Sequence, residues 1–177
     1  MNTTKKICIA AAAVALFVCA SLCLQVPVFE NYYLCLGYVA MAVYCYSFGA
    51  VSGTIVGVFG VVLYCLVISG LRGLPGWALG NVVIGIALGL TFRRTKKMQN
   101  TAVKAAVNAG AITLSVTVGI LVIKSATESV LYLQPFAVRA GKNFSAWVAD
   151  LVVLLFSLPI CMTLDKTVRK MFPKLVT

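Results

Sequence analysis

Uncharged stretches of membrane-spanning length dominate this chain. Residues 7–29, 31–71, 73–92 and 105–123 contain no charged side chain, and Asp150 alone interrupts the run from 143 to 164. A transmembrane helix needs about 20 mainly apolar residues, so the stretch 31–71 has room for two helices and each of the others for one. The pattern predicts an all-α integral membrane protein with six transmembrane helices, packed as a single domain over residues 1–177.

The breaks between apolar stretches set the expected boundaries and connections. The predicted helices cover about residues 6–24, 36–46, 50–68, 77–92, 103–124 and 143–164. The second is short for a complete span. We expect outside connections at 25–35 and 69–76, inside connections near 47–49 and at 93–97, and the longest loop, on the outside, at 125–142. The first apolar run exceeds the ~7–15 residues of a signal-peptide core, so it is predicted to be a span.

The charge distribution predicts the orientation. The chain has fifteen Lys and Arg residues and a net charge of +11. With both termini in the cytoplasm, only Arg72, Lys124, Arg139 and Lys142 fall outside, and the other eleven lie inside. This is the positive-inside asymmetry of short loops. The basic character therefore follows from topology and gives no reason to expect a nucleic-acid partner.

The chain has few residues suited to general acid–base chemistry. The chain has no histidine and only four acidic residues, and its seven cysteines form no CxxC pair. It contains no GxxxxGK[ST] phosphate loop, so nucleotide hydrolysis by that machinery is excluded. We therefore expect no enzymatic activity, no metal site and no cofactor, and any energy for transport must come from another protein.

Polar residues inside predicted spans fall in one layer. Asn81, Thr117 and Asp150 each lie about seven residues from the outer end of their helix, or about 10 Å below the boundary. Trp77 and Trp147 share helix faces with Asn81 and Asp150 through i+4 and i+3 spacing. One interpretation is a buried Asp150–Asn81 hydrogen bond under an interfacial tryptophan belt. The favoured interpretation is a pocket open to the outside, since an intramembrane carboxylate is usually functional.

The predicted pocket combines that layer with the loops above it. The candidate substrate-binding residues are Tyr33, Arg72, Trp77, Asn81, Thr117, Lys124, Trp147 and Asp150. The amide and carboxylate would make hydrogen bonds, the indole rings would stack on the ligand, and the cations would pair with an acidic group. Among the loop residues, Arg72 is favoured because it sits in a tight Gly/Pro turn beside Trp77.

Small residues recur at four-residue spacing. Gly49, Gly53 and Gly57 on the third helix, and pairs at 76/80 and 85/89 on the fourth, favour close helix packing. On the first helix, Ala11, Ala15, Cys19 and Cys23 form a similar stripe. From spacing alone, this stripe could pack internally or dock a partner helix.

The whole chain resembles the substrate-binding S-components of energy-coupling factor (ECF) vitamin transporters. The resemblance rests on size, six spans, cytoplasmic termini, the segment VPVFENYYLCLGYVAMAVYCYSFGAVSGTIVG and the Gly-rich GLRGLPGWALGNVVIGIALG. It implies capture of a vitamin-like small molecule from outside by helices 4–6, and delivery through a transmembrane coupling subunit and two cytoplasmic ATPases. It also implies a multi-pass protein of a prokaryotic plasma membrane, whose Ala11 and Ala15 dock on the coupling subunit.

The resemblance does not name the ligand. The substrate-defining signatures of the riboflavin, thiamine and biotin members are not recognised here. The outside cations favour an anionic ligand such as pantothenate or a folate, and Glu30 and Glu128 partly offset them. Two other functions stay open: a self-contained carrier or channel that uses Asp150 as an ion or proton site, and a structural protein in which Asp150 only ties helices together.

Overall fold

The protein is a bundle of helices that follow one another with short connections. The computed structural model describes residues 3–23, 27–29, 32–68 and 74–171. The helices are α1 (Thr3–Cys23), α2 (Gly37–Phe48), α3 (Ala50–Ile68), α4 (Leu74–Thr95), α5 (Thr101–Val116), α6 (Ser125–Tyr132) and α7 (Phe136–Met171), with a π-helical stretch (Thr117–Lys124) joining α5 to α6. Two short antiparallel strands, β1 (Pro27–Phe29) and β2 (Tyr32–Tyr33), lie between α1 and α2.

The six predicted helices are all present, and most boundaries fall within a few residues of the prediction. The main error concerns residues 125–142, which were predicted to be the longest loop. They are mostly helical: α6 continues directly from the π-helical stretch, and α7 begins at Phe136. The polar composition of this segment indicated a loop, but it has no glycine or proline before Pro135 to end a helix. Leu133 terminates α6 in the left-handed conformation, with φ 51°.

Length and apolar character identify the membrane-spanning candidates. Four helical segments in the described residues qualify, at 50–68, 74–95, 101–132 and 136–165, and a shorter apolar helix covers 7–23. The protein is therefore a multi-pass helical membrane protein. With 12 residues, α2 reaches only about 18 Å, less than the ~30 Å hydrocarbon thickness. Most of its residues are buried by neighbouring helices. The count of six spans and the cytoplasmic placement of the termini stay predictions.

Glycines allow the helices to approach closely, as the spacing predicted. Gly49 joins α2 to α3 with a φ of 89°, a conformation that other residues rarely adopt. A Cβ on Gly53 would lie 2.8 Å from the backbone of Cys45, and one on Gly89 would clash with Cα of Ala50. These contacts pack α3 against both α2 and α4.

α4 packs against several of the other segments of the bundle. α4 contacts α2, α3, α5, the π-helical stretch and α6, while α1 packs on α2 and α3. α7 packs on α2, α5, α6 and the π-helical stretch, and the two strands lie against it. The N-terminal ends of α2 and α4 therefore meet the C-terminal end of the π-helical stretch at one end of the bundle, which is the end predicted to face outside.

Candidate functional site

A fully buried tyrosine organises the polar layer. The Tyr38 hydroxyl, at the start of α2, accepts a hydrogen bond from Trp77 Nε1 at 2.8 Å and donates one to Asn81 Oδ1 at 2.7 Å. The Asn81 amide nitrogen in turn donates to the Gly57 carbonyl oxygen at 3.0 Å. This chain of hydrogen bonds connects α2, α3 and α4. It also fixes the indole ring of Trp77, because its only polar atom is engaged.

Asp150 reaches the same tyrosine from α7. Its carboxylate interacts with the Tyr38 hydroxyl and with the positive charge of Lys124. The Lys124 ammonium group lies 5.6 Å from the centre of the Trp77 ring. Four elements therefore meet here: α2 through Tyr38, α4 through Trp77, the π-helical stretch through Lys124, and α7 through Asp150. A direct Asn81–Asp150 hydrogen bond, one of the two sequence interpretations, is replaced by contacts of both residues with Tyr38.

The second tryptophan is held at the other end of the π-helical stretch. Trp147 Nε1 donates to the Thr117 hydroxyl at 3.0 Å, and that hydroxyl donates to the Thr113 carbonyl oxygen at 2.7 Å. Phe144 packs beside Trp147, with ring centres 5.3 Å apart. The π-helical stretch thus begins at one site residue, Thr117, and ends at another, Lys124. Short π-helical segments within α-helices are frequent at functional sites.

A second polar cluster lies one helical turn further toward the same end. Asn143 Nδ2 donates to Glu128 Oε2 at 2.9 Å and to the Ser125 hydroxyl at 3.1 Å. Glu128 pairs with Arg139 at 3.9 Å, and the Arg139 guanidinium stacks 4.1 Å from the centre of the Tyr132 ring. The predicted loop 125–142 is therefore part of the bundle wall and contributes buried polar groups.

The buried charges of the two clusters balance. Asp150 is 5% exposed, Glu128 6% and Lys124 9%, so all three are withdrawn from bulk solvent. Arg139 and Glu128 form an ion pair at 3.9 Å, while Lys124 acts electrostatically on Asp150 without forming a close ion pair with it. Buried charges are costly unless an opposite charge lies near, and each cluster places one acid and one base together.

The structure brings most of the predicted site residues together. Trp77, Asn81, Lys124 and Asp150 surround Tyr38, and Thr117 and Trp147 form a hydrogen-bonded pair along the same stretch. Arg72 lies outside the described residues, as does the side chain of Tyr33, whose backbone belongs to β2.

Several polar residues of these clusters were not among the predicted site residues: Tyr38, Ser125, Glu128, Arg139 and Asn143. Glu128 was visible in the sequence only as a charge in an expected loop. Tyr38 carried no distinguishing signal, since its apolar stretch contains several tyrosines.

The predicted docking residues lie on the opposite side of α1 from the core. Ala11 and Ala15 are both exposed, as are Cys19 and Cys23. Beside them runs an apolar groove of about 550 Å³ between α1, α2 and the last turns of α7, whose lining includes Ala12, Leu16, Val43 and Leu164. The stripe therefore does not pack internally against the described residues.

Fold and site together define a multi-pass helical membrane protein with a polar, aromatic-lined cluster buried at one end of the bundle. The family model for the ECF-type riboflavin transporter, S component, matches residues 1–166. The chain belongs to this family of transporter S-components, which is not a class of enzymes, and the resemblance drawn from the sequence is confirmed. No curated protein and no solved structure matches the chain.

Proposed function

We propose that this protein is the subunit of an ECF-type importer that captures a vitamin-like small molecule from outside the cell, with riboflavin as the first candidate. Membership of the S-component family supports the role, and the match to the riboflavin branch of that family supports the candidate. The observation that carries the proposal is the convergence of Trp77, Tyr38, Lys124 and Asp150 at one end of the bundle. A few placed polar groups among aromatic and apolar walls are typical of small-molecule sites.

The chemistry of the site suits a ring-bearing ligand with polar edges. Trp77 and Trp147 are only partly buried, and their indole nitrogens are engaged by Tyr38 and Thr117. Their rings are thus held in fixed orientations that can contact a planar ligand without further ordering. Pre-organised aromatic groups of this kind lower the entropy that binding must overcome.

Delivery of the ligand requires partners, and the surface of α1 supports that part of the proposal. The chain has no phosphate loop of its own, so ATP hydrolysis falls to separate ATPase subunits, joined through a transmembrane coupling subunit. The exposed Ala11/Ala15 stripe and the neighbouring apolar groove offer a surface on which a partner helix can pack closely. We place the protein in a prokaryotic plasma membrane with its basic end in the cytoplasm.

Ligand binding is tested on the protein purified gently in detergent. Native mass spectrometry should release one vitamin-like molecule per chain, and added riboflavin should raise the melting temperature by mass action. The matched comparison is Asp150→Ala, which should bind more weakly while still inserting into the membrane. A protein that carries no small molecule and is not stabilised by any of a panel of vitamins would contradict the binding role. Uptake by the purified chain alone in liposomes would instead favour a self-contained carrier.

A further inference from the structure

A second group of side chains from several helices meets around Tyr46, at the end of the bundle opposite to Tyr38. Tyr46 lies in the last turn of α2, is 2% exposed, and packs against Phe92 of α4 with ring centres 5.2 Å apart. The Lys96 ammonium group lies 5.1 Å from the centre of the Tyr46 ring, and that of Lys104, on α5, lies 5.5 Å from it. Asp165 of α7 pairs with Lys96 at 3.5 Å. Residues of α2, α4, α5 and α7, with Lys96 directly after α4, therefore form one cluster.

The charges of this cluster do not balance. Asp165 is engaged by Lys96, and Lys104 forms no ion pair with any residue that the structure describes. The Tyr46 ring attracts ammonium groups, but a neutral ring does not cancel their charge. The segment 93–104 adds five cations and no acid. The cluster itself is thus left with two cations and one acid, and the paired side chains of Lys96 and Asp165 are only 9% and 14% exposed.

The start of α5 increases this shortage of negative charge. The helix begins at Thr101, and the side chain of Asn100 caps it by accepting hydrogen bonds from the backbone N–H groups of Ala102 and Val103. Its first turn contains no acidic residue. Because a helix N-terminus carries a partial positive charge, the half-buried Lys104 lies in a region that favours an anion.

A buried amide in the same interface lacks a hydrogen-bond partner. Asn108 is fully buried, and its oxygen accepts a hydrogen bond from the Thr95 hydroxyl at 2.7 Å, while its nitrogen has no partner. Asn108 lies one helical turn after Lys104 on α5, and Thr95 directly precedes Lys96. This part of the bundle therefore has more hydrogen-bond donors than acceptors, which favours a ligand rich in acceptor oxygens.

We propose that this cluster binds the phosphate group of an anionic phospholipid, with Lys104 and Lys96 as its contacts. A phosphodiester supplies acceptor oxygens and one negative charge, which matches the single excess cation of the cluster. Basic pockets between helices at the cytoplasmic boundary are typical sites for anionic headgroups. A lipid is favoured over a soluble phosphate because Val103 and Val107 expose 48% and 39% of their surface along α5, where an acyl chain can lie.

The proposal is tested on the purified full chain with two lipids that carry the same acyl chains. Phosphatidylglycerol is anionic, whereas phosphatidylcholine carries a compensating positive charge that the lysines would repel. Native mass spectrometry should show that wild type retains phosphatidylglycerol in preference, and phosphatidylglycerol should raise the melting temperature more than phosphatidylcholine does. Lys104→Gln should weaken phosphatidylglycerol binding roughly 10-fold or more, because a charge-assisted hydrogen bond is lost. Lys104→Arg keeps the charge and should retain binding.

The matched control is Lys97→Gln, which removes the same charge from a neighbouring exposed position. Its effect should be much smaller, since exposed charges are screened by salt. Equal losses in Lys97→Gln and Lys104→Gln, or equal binding of the two lipids by wild type, would overturn the proposal. Stabilisation by inorganic phosphate that disappears in Lys104→Gln would support an anion site but overturn a lipid as its source.

This binding site is independent of the proposed capture of a vitamin. Lys104→Gln should bind riboflavin as wild type does, because the cluster around Tyr38 lies at the other end of the bundle. Failure of riboflavin to bind would therefore contradict the proposed function and leave the lipid measurements interpretable by themselves.

Discussion

At the scale of single residues, the Tyr38 hydroxyl holds the site's geometry. It is fully buried and bonds to side chains that lie 39 and 43 residues away in the sequence. Burying a hydroxyl in a membrane protein is costly unless its hydrogen bonds are made, and here they are made to Trp77 and Asn81. The residue thus sets the ring orientation of Trp77 and the amide orientation of Asn81 at once.

Replacement of Tyr38 by phenylalanine should change both the melting temperature and the tryptophan fluorescence. The change leaves the Trp77 N–H and the Asn81 oxygen without their partner, which typically costs about 1–3 kcal/mol for a buried group. We expect a lower melting temperature and, in a Trp147→Phe background where Trp77 is the sole tryptophan, a shift of the fluorescence emission. The Trp147→Phe protein itself is the reference. Unchanged melting and emission would show that the hydroxyl does not hold the site.

At the scale of helices, the contact between α4 and the π-helical stretch sets the position of Lys124. A Cβ on Gly80 would lie 2.7 Å from the Gly119 carbonyl oxygen, and one on Gly119 would lie 2.9 Å from the Gly80 oxygen. The two backbones therefore touch, and neither position has room for a side chain. This contact lies between Thr117 and Lys124, so it supports both ends of the site.

A larger residue at Gly80 should separate the two segments. Gly80→Val is expected to lower the melting temperature strongly and to weaken ligand binding, because Lys124 moves away from Trp77. The matched control is Gly110→Ala on α5, where an added Cβ meets nothing within 4 Å. That change should be neutral or stabilise by up to about 1 kcal/mol, since alanine favours helix over glycine. Equal behaviour of the two variants in thermal unfolding would refute this account.

The outer face of α1 is also a feature at the scale of helices. Its proposed role in docking can be tested separately from ligand binding. Ala11→Trp and Ala15→Trp add bulk at exposed positions, so ligand binding by the purified subunit should be unchanged. Uptake by cells that also contain the coupling subunit and ATPases should be lost, because a docking helix can no longer approach. Leu114→Trp, at an exposed position on α5, is the control and should retain uptake. Loss of binding in the α1 variants would mean that the stripe supports the fold instead.

At the scale of the whole molecule, a group of basic residues and the polar cluster around Tyr38 lie at opposite ends of the bundle. The polar cluster around Tyr38 lies at the start of α4, while Arg93, Arg94, Lys96 and Lys97 lie at or beyond its end. The positive-inside rule predicts that the basic end faces the cytoplasm and that the site faces outside. A subunit that captures a ligand from outside needs this orientation.

The orientation can be measured by labelling engineered cysteines in intact cells. The exposed Cys8, Cys19 and Cys23 are first replaced by serine. Leu133→Cys, at a position that is 93% exposed between α6 and α7, should then react with a membrane-impermeant maleimide from outside. Lys97→Cys, at the basic end, should react only after permeabilisation. The reverse pattern would place the site in the cytoplasm and remove the basis for uptake.

The sequence by itself determined most of the helices and the family. Apolar stretches in a bilayer must form helices, because a backbone without water has to satisfy its own hydrogen bonds. That requirement is local, so positions 50–68 could be assigned without knowledge of any neighbour, and the depth of Asn81, Thr117 and Asp150 was predicted by counting residues. The resemblance to S-components, drawn from the same features, is confirmed by the family match over residues 1–166.

Only the tertiary structure decided which side chains meet. Tyr38 is one of several tyrosines in an apolar stretch, and nothing local marks it as the partner of Trp77 and Asn81. Glu128 and Asn143 looked like residues at the edges of a loop, yet they are buried together because α6 continues the preceding helix and turns directly into α7. Hydrogen bonds between helices depend on how the helices pack, and that packing depends on contacts such as Gly80 with Gly119. Sequence spacing shows which residues share a face of one helix. Which residue of another helix contacts that face depends on how the whole bundle packs.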